Sequence, residues 1–300
     1  MIKFAIFTDL HYDFIPDGKE RLDIFLHEVK DKNLDFIMNL GDFCLPIKEN
    51  KHLLNHLDET GIPCYHVLGN HDSDTFDKPQ ILDFLNLQNS YYPFTYFDTK
   101  FIVLDACFTE ISGVYSAYNR KNYKASNGNY PIIPPDQMTW LKNELNDSCS
   151  NYVLFSHQSL ENEFTNRGIC NRLEIQRLLT EVTKQGKKVS CFNGHDHSNS
   201  NITINKVNYI GINGMSYIWL GDLCTLKPYS REMYQQYPLL NEIILYDQSL
   251  FAVVTIDTSG EIYLEGRNGD YKTISPNDLG LSDQWNGRQL SSVISSLHIK

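Results

Sequence analysis

The chain has 300 residues, 41% of them hydrophobic and 12% aromatic, so it can bury a large core and is not a disordered segment. Its formal net charge of -11 argues against a sequence-independent binder of long nucleic acid, whose affinity comes from clustered Lys and Arg. No apolar run approaches a membrane span, the N-terminal run is too short for a signal peptide, and the seven cysteines are well spaced with no Cys-x-x-Cys, so reduced thiols in a cytoplasmic protein are the expectation.

The first element is Ile2-Lys3-Phe4-Ala5-Ile6-Phe7-Thr8, an apolar run of strand length that passes without a turn residue into Asp9-Leu10-His11. After a loop ending near Asp17-Gly18, Leu22, Phe25, Leu26 and Val29 fall at i, i+3, i+4 and i+7, the stripe of an amphipathic helix. Residues 36–40 read as a second strand, ending in Gly41-Asp42. A helix holding Leu53, Leu54 and Leu57 follows, Gly61-Ile62-Pro63 breaks it, and a third strand over 64–68 leads into Gly69-Asn70-His71-Asp72. Strands alternating with helices imply a parallel sheet with right-handed crossovers.

Residues 91–98 and 100–105 then read as a hairpin turning at Thr99, which makes the sheet mixed. Over 109–133 no periodicity holds; there Tyr118 could stack on a base or sugar and Arg120 could clamp a phosphate, or the stretch could be an ordinary Tyr-rich surface loop. Pro134-Pro135-Asp136 opens a helix whose Met138, Leu141 and Leu145 face inward, and the strand over 152–156 ends in His157. Ile175, Leu178, Leu179 and Val182 mark the helix before a strand over 189–193, which ends in Gly194-His195-Asp196-His197. Residues 201–212 and 241–266 are strand-rich, with a hairpin through Ser259-Gly260, and supply a second, partly antiparallel sheet. Between them, 215–238 is a second aperiodic stretch in which Tyr217 could wall a pocket. The polar tail has weak helical character near 290–297. One catalytic domain over 1–270 is expected, with 271–300 packed on or near it.

Five apolar runs therefore end in Asp, Asn or His. The C-terminal ends of parallel strands share one sheet edge, the place where open α/β sheets bind ligands. Asp9, His11, Asp42, Asn70, His157, His195 and His197 offer imidazoles, carboxylates and an amide, a mixture suited to Mn, Fe, Zn or Co. Seven ligands are too many for one site with open positions and suit two divalent or trivalent ions, with Asp42 the natural bridge. Cys44, two residues past Asp42, could add a soft ligand.

The ordered series DLH, GD, GNHD, SHQ and GHDH over residues 9–197 resembles the calcineurin-like metallophosphoesterases, which include purple acid phosphatases and cyclic-nucleotide phosphodiesterases. The resemblance implies an α/β fold of two mixed sheets packed as a sandwich and flanked by helices, a four-layer arrangement. It implies one ion held by Asp9, His11, Asp42 and His197 and a second by Asp42, Asn70, His157 and His195. It also implies a phosphate-side His71, with Asp72 as its partner, and attack on phosphorus by a metal-bound hydroxide. Tyr91-Tyr92 through Leu104-Asp105, Pro135-x-Gln137 to Trp140-Leu141, and Gly266-Arg267-Asn268 look like the small-molecule phosphodiesterase branch, including the Mn-dependent ADP-ribose/CDP-alcohol diphosphatases. That group tends to carry Gln where this chain has His11. The expectation is a dinuclear phosphohydrolase of a small phosphodiester or pyrophosphate-linked nucleotide, with a phosphomonoesterase or a non-catalytic scaffold of the same fold as alternatives. Nucleic acid and membrane are not expected partners.

Overall fold

The computed structural model describes residues 1–161 and 167–300. The chain lays down β1 (Ile2–Phe7), α1 (Gly18–Val29), β2 (Phe36–Asn39), α2 (Lys51–Asp58), β3 (Cys64–His66) and α3 (Lys78–Leu85). Then come the hairpin β4 (Tyr92–Tyr96) and β5 (Thr99–Val103), a small hairpin β6 (Phe108–Ile111) and β7 (Val114–Ala117), α4 (Pro135–Glu144), β8 (Asn151–Ser156), α5 (Arg172–Lys184), β9 (Lys188–Asn193), β10 (Ser200–Ile204) and β11 (Val207–Gly211). The last third holds β12 (Tyr217–Trp219), α6 (Arg231–Gln236), β13 (Ile243–Leu245), β14 (Ala252–Ile256), β15 (Ile262–Glu265), β16 (Gln284–Trp285), β17 (Arg288–Gln289) and β18 (Leu297–Ile299).

Two six-stranded sheets result. One runs β18-β15-β14-β1-β2-β3 and the other β10-β11-β9-β8-β5-β4. In the first, β1, β2 and β3 are parallel while β14 pairs antiparallel to β1. In the second, β5, β8, β9 and β11 are parallel and β4 and β10 close the edges antiparallel. Strand alternation assigns the layers. Phe4 and Ile6 of β1 point into the space between the sheets with Phe36, Phe101, Phe155 and Phe192. Their neighbours Ala5 and Phe7 face the opposite way, onto Leu22, Phe25 and Val29 of α1 and Leu53 and Leu57 of α2. The second sheet repeats the pattern, with Ile102, Leu154 and Cys191 facing out onto Leu141, Ile175 and Leu179 of α4 and α5. Helix, sheet, sheet and helix make the four layers, and strands buried on both faces explain why their sequences read as continuous apolar runs. The inter-sheet core is aromatic: Phe4 stacks on Phe36 at 4.6 Å between ring centres and meets Phe101 edge-on at 5.9 Å.

Sheet membership differs from the expectation, since the hairpin β4–β5 lies with β8 and β9 in the second sheet while β14 and β15 join β1 in the first, and two local segments change as well. The stretch 109–133 is not wholly irregular, because Ser112 and Gly113 both take positive φ (52° and 83°) and close the β6–β7 hairpin. The helical tendency near 290–297 is overridden by long-range pairing: β18 adds antiparallel to β15 at the sheet edge, and the Ile294 N–H donates to the Arg267 carbonyl. Among the described residues no helix is long and apolar enough to cross a membrane.

His66, at the end of β3, supplies a pH-dependent part of the stability. The Asn39 side-chain oxygen accepts from the Gly41 N–H, which leaves its amide nitrogen 3.1 Å from His66 Nδ1 as the donor. A proton on that ring nitrogen would face another N–H, and burial pushes the imidazole down to about 4. The unfolded chain, at an ordinary value of about 6.5, then binds more protons than the folded chain below that pH. The contribution is complete above about pH 6.5 and declines as the pH falls toward 4. Urea unfolding of metal-free protein at pH 7 and pH 5 is expected to show wild type losing about 2 kcal/mol more than His66→Asn. An equal loss in both proteins would mean that His66 is not titrating as described.

Candidate metal centre

The C-terminal ends of β1, β2, β3, β8 and β9 deliver Asp9 and His11, Asp42, Asn70 and His71, His157, and His195 and His197 to one edge of the sandwich. The backbone there is bent sharply: Asp9, His11, Asp42, His195 and His197 all have φ between 46° and 67°, a conformation costing non-glycine residues roughly 1 kcal/mol or more each. Each chain reverses immediately after its strand, so side chains from neighbouring strands turn toward a common point. Close backbone approach makes room for this. A Cβ on Gly69 would collide with the Asp42 carboxylate, and one on Gly194 with the Thr8 hydroxyl.

Asp9, His11 and His197 form one group of ligand atoms within 4.8 Å of one another, and Asp42, His157 and His195 form a second. Asp9 divides its two oxygens. Oδ2 accepts from the Thr8 hydroxyl at 2.7 Å and the His195 N–H at 3.0 Å. Oδ1 faces His197 Nε2 at 3.4 Å and His11 Nε2 at 3.6 Å. Asp42 lies between the groups, with Oδ2 3.2 Å from His157 Nε2 and 3.6 Å from His11 Nε2, while its Oδ1 accepts from the His71 N–H at 2.8 Å. The imidazoles are oriented from behind: His157 Nδ1 contacts the Leu40 carbonyl and His197 Nδ1 the Tyr217 carbonyl, both at 2.8 Å. Those bonds turn the Nε2 lone pairs inward, the usual second support of a metal-bound histidine.

The donor set fits metal ions. Asp9 Oδ1, His11 Nε2 and Asn70 Oδ1 are buried and have no hydrogen-bond partner, a costly condition that a cation among them relieves. The electrostatics agree. Burial alone raises a carboxyl, yet the surrounding histidines, His197 and His11 for Asp9 and His157 and His71 for Asp42, hold both acids well below the usual carboxylate range. His157, despite burial, is pushed up to about 9 by Asp42 and Asp9, so without metal a proton serves as the positive charge between the two acids. Burial takes His197 down to about 3, and burial with the Arg167 charge takes His195 well down, leaving both neutral with lone pairs available. Mixed imidazole, carboxylate and amide ligands suit borderline metals. Cys44 is absent from both groups and lies in the core beneath α1 and α2, where burial pushes its thiol up.

His71 opens a 3-10 turn (His71–Ser73) and lines the cleft above Asp42. Its partner differs from the expectation. Side chains eclipse at i and i+3 in such a turn, and it is Asp74 whose Oδ2 lies 2.9 Å from His71 Nδ1. Asp72, one residue on, points away and accepts from the Gly69 N–H at 2.7 Å; burial and the Asp42 charge push it up to about 7. Asp74 also accepts from the Tyr123 hydroxyl at 2.7 Å and pairs with Lys121 at 3.1 Å. For His71, burial is outweighed by Asp42 and Asp74, which raise its imidazole. The sequence did carry a signal for Asp74, a second acid three residues past the histidine in Asn70-His71-Asp72-Ser73-Asp74.

A cleft of about 700 Å³ opens over this centre. Tyr118 and Tyr217 line it; Tyr118 packs on Tyr123 with ring centres 4.6 Å apart, and Tyr217 stacks on His197 at 4.5 Å. Arg120 stands exposed outside the lining, and Lys121, Lys124 and Arg167 are the cations that line it. Arg167 was not singled out from the sequence; its Nη2 donates to the His195 carbonyl at 2.7 Å and its guanidinium lies 5.3 Å from the Trp219 ring centre.

The overall shape is shared with solved proteins. A dimetal phosphatase from Danio rerio superposes with a TM-score of 0.63 at 15% identity, over 91% of this chain and 98% of that one. GAP50, the anchor in the inner membrane complex of Plasmodium, does so with a TM-score of 0.54 at 16% identity, over 88% and 84%. No curated protein matches the chain. Residues 2–199, the stretch carrying all five strand ends, match the family model described as calcineurin-like phosphoesterase. The chain belongs to that family, and as a metallophosphoesterase it is a hydrolase.

Proposed function

We propose that the protein is a dinuclear metal-dependent phosphohydrolase acting on a small phosphodiester or pyrophosphate-linked nucleotide. The observation that carries this reading is Asp42 set between two ligand groups, beside buried donor atoms that have no other partner. In this reading Asp9, His11, Asp42 and His197 hold one ion, and Asp42, Asn70, His157 and His195 the other. When bound, two Mn, Fe, Zn or Co ions supply Lewis acidity and charge neutralisation at a phosphoryl group, a local cation in an acidic protein.

The protein's own groups do the rest. His71, held by Asp74, carries a proton at the cleft wall and gives it to the leaving oxygen as the phosphorus–oxygen bond breaks and a water oxygen bonds to phosphorus; the proton that this water sheds passes to solvent, from which His71 is reprotonated. Tyr118, Tyr217, Phe14 and Trp219 form walls that exclude water and accept an apolar or aromatic portion of the substrate. The cleft volume lies within the range of small-molecule sites of about 300–1,000 Å³. Seven unpaired cysteines fit a cytoplasmic setting.

The test is metal analysis followed by a substrate panel on protein reconstituted in turn with Mn, Fe, Co and Zn: mono- and bis-p-nitrophenyl phosphate, cyclic AMP, ADP-ribose, a CDP-alcohol and a glycerophosphodiester. Two ions per chain and faster turnover of the bis ester or ADP-ribose are expected. Preference for the mono ester would replace this reading with a phosphomonoesterase. Absence of both metal and turnover would leave a scaffold.

A further inference from the structure

Among the described residues, the cleft holds one cation whose charge no carboxylate answers. Lys121, Lys124 and Arg167 line it, as do the acids Asp42, Asp74 and Glu242. Asp42 belongs to the metal centre. Asp74 is engaged by His71, Tyr123 and Lys121, which at the same time neutralises Lys121. Glu242 accepts from the Trp219 indole N–H at 3.1 Å. Arg167 lies 3.7 Å from the Asp196 carboxylate. Lys124 remains, exposed, with no carboxylate partner among the described residues.

Its position is fixed although its side chain is free. Lys124 lies in the short 3-10 turn Asn122–Ala125, directly after Tyr123, whose hydroxyl is bonded to Asp74. The same segment is tied down by the Lys121 N–H to the Ser73 carbonyl at 3.3 Å and by the Asp77–Asn119 bridge. A lysine on an anchored turn, on the His71 side of a cleft built for one phosphoryl group, is placed to meet an anion adjoining that group on its leaving side. An ammonium on a flexible stem binds a phosphate as a point charge without demanding one orientation.

We propose that Lys124 binds a second phosphoryl group adjoining the scissile one, so that the preferred substrates are pyrophosphate-linked rather than simple diesters. This rests on the phosphohydrolase reading above, and narrows it. It also accounts for the length of the ordered stretch 109–133: the loop carries a substrate-selecting charge and is pinned to the turn that carries the catalytic histidine.

Binding of inorganic pyrophosphate and of inorganic phosphate to Mn-loaded full-length protein, freed of unbound metal, tests this by calorimetry, independently of turnover. Wild type is expected to prefer pyrophosphate, and Lys124→Gln to reduce the pyrophosphate-to-phosphate preference about ten-fold, with Lys124→Arg restoring most of it. In turnover, Lys124→Gln is expected to raise KM for ADP-ribose about ten-fold more than for bis-p-nitrophenyl phosphate, with the change in KM rather than kcat. An unchanged pyrophosphate preference in Lys124→Gln would overturn the assignment, even with both esters hydrolysed. Loss of preference with neither ester hydrolysed would uphold the site and remove the catalytic reading.

Discussion

Asp42→Asn is expected to strip metal from both positions and to lower activity on the order of 10⁴-fold or more. Its carboxylate stands 3.2 Å from His157 Nε2 and 3.6 Å from His11 Nε2, one ligand from each group, so both ions would share its charge. An amide of the same shape keeps an oxygen but loses that charge, which leaves Asp9 as the one carboxylate among the proposed ligands. The rate loss corresponds to about 5.5 kcal/mol of barrier, within the several kcal/mol that Lewis-acid stabilisation contributes. A second consequence is structural: Asp42 Oδ1 accepts from the His71 backbone N–H, and the weaker acceptor loosens the turn that aims the imidazole. Metal content measured on the purified variant decides the matter. Two ions per chain in Asp42→Asn would show that this residue is not the bridge.

His71→Ala should behave in the opposite way, keeping the full metal content and losing about 10²- to 10⁴-fold in kcat, the usual range for a positioned proton donor. His71 contributes to neither group of converging ligand atoms, and its ring sits on the cleft side with Asp74 behind it. Asp74→Asn should give a smaller loss of about ten-fold with metal retained, because the imidazole stays but loses the carboxylate that orients it. Asp72→Asn should affect kcat less than Asp74→Asn, since its carboxyl is turned to the Gly69 N–H. If the two aspartate variants exchanged these magnitudes, the assignment of Asp74 as the positioning residue would fail. If His71→Ala lost metal as Asp42→Asn does, the separation of ligand and acid roles would fail.

A fold by itself does not decide between catalysis and a non-catalytic scaffold. The argument for catalysis in this chain comes from its site, where the ends of β1, β2, β3, β8 and β9 each carry a residue able to hold a metal.

The sequence by itself determined the strands and the candidate ligands. Apolar runs of strand length, each ending in Asp, Asn or His, are short-range patterns: burial on both faces dictates the run, and residue chemistry names the ligand whatever the remaining fold. Asp9, Asp42 and His195 could be picked out in this way without knowing that their φ angles are positive. The tertiary structure alone decided which carboxylate serves His71. Asp72 is the nearer in sequence, but the 3-10 turn carries Asp74 round to the same face. It also decided which cation enters the cleft. Arg120 and Lys124 stand four residues apart in an aperiodic stretch, and the Tyr123–Asp74 bond holds the second of them to the site. The tail's helical tendency likewise yielded to pairing with β15, an edge made by residues far away in the chain. Local periodicity is written in neighbouring residues, whereas turns, caps and edge pairings depend on what the folded chain places beside them, and the walls of this cleft are built from such contacts.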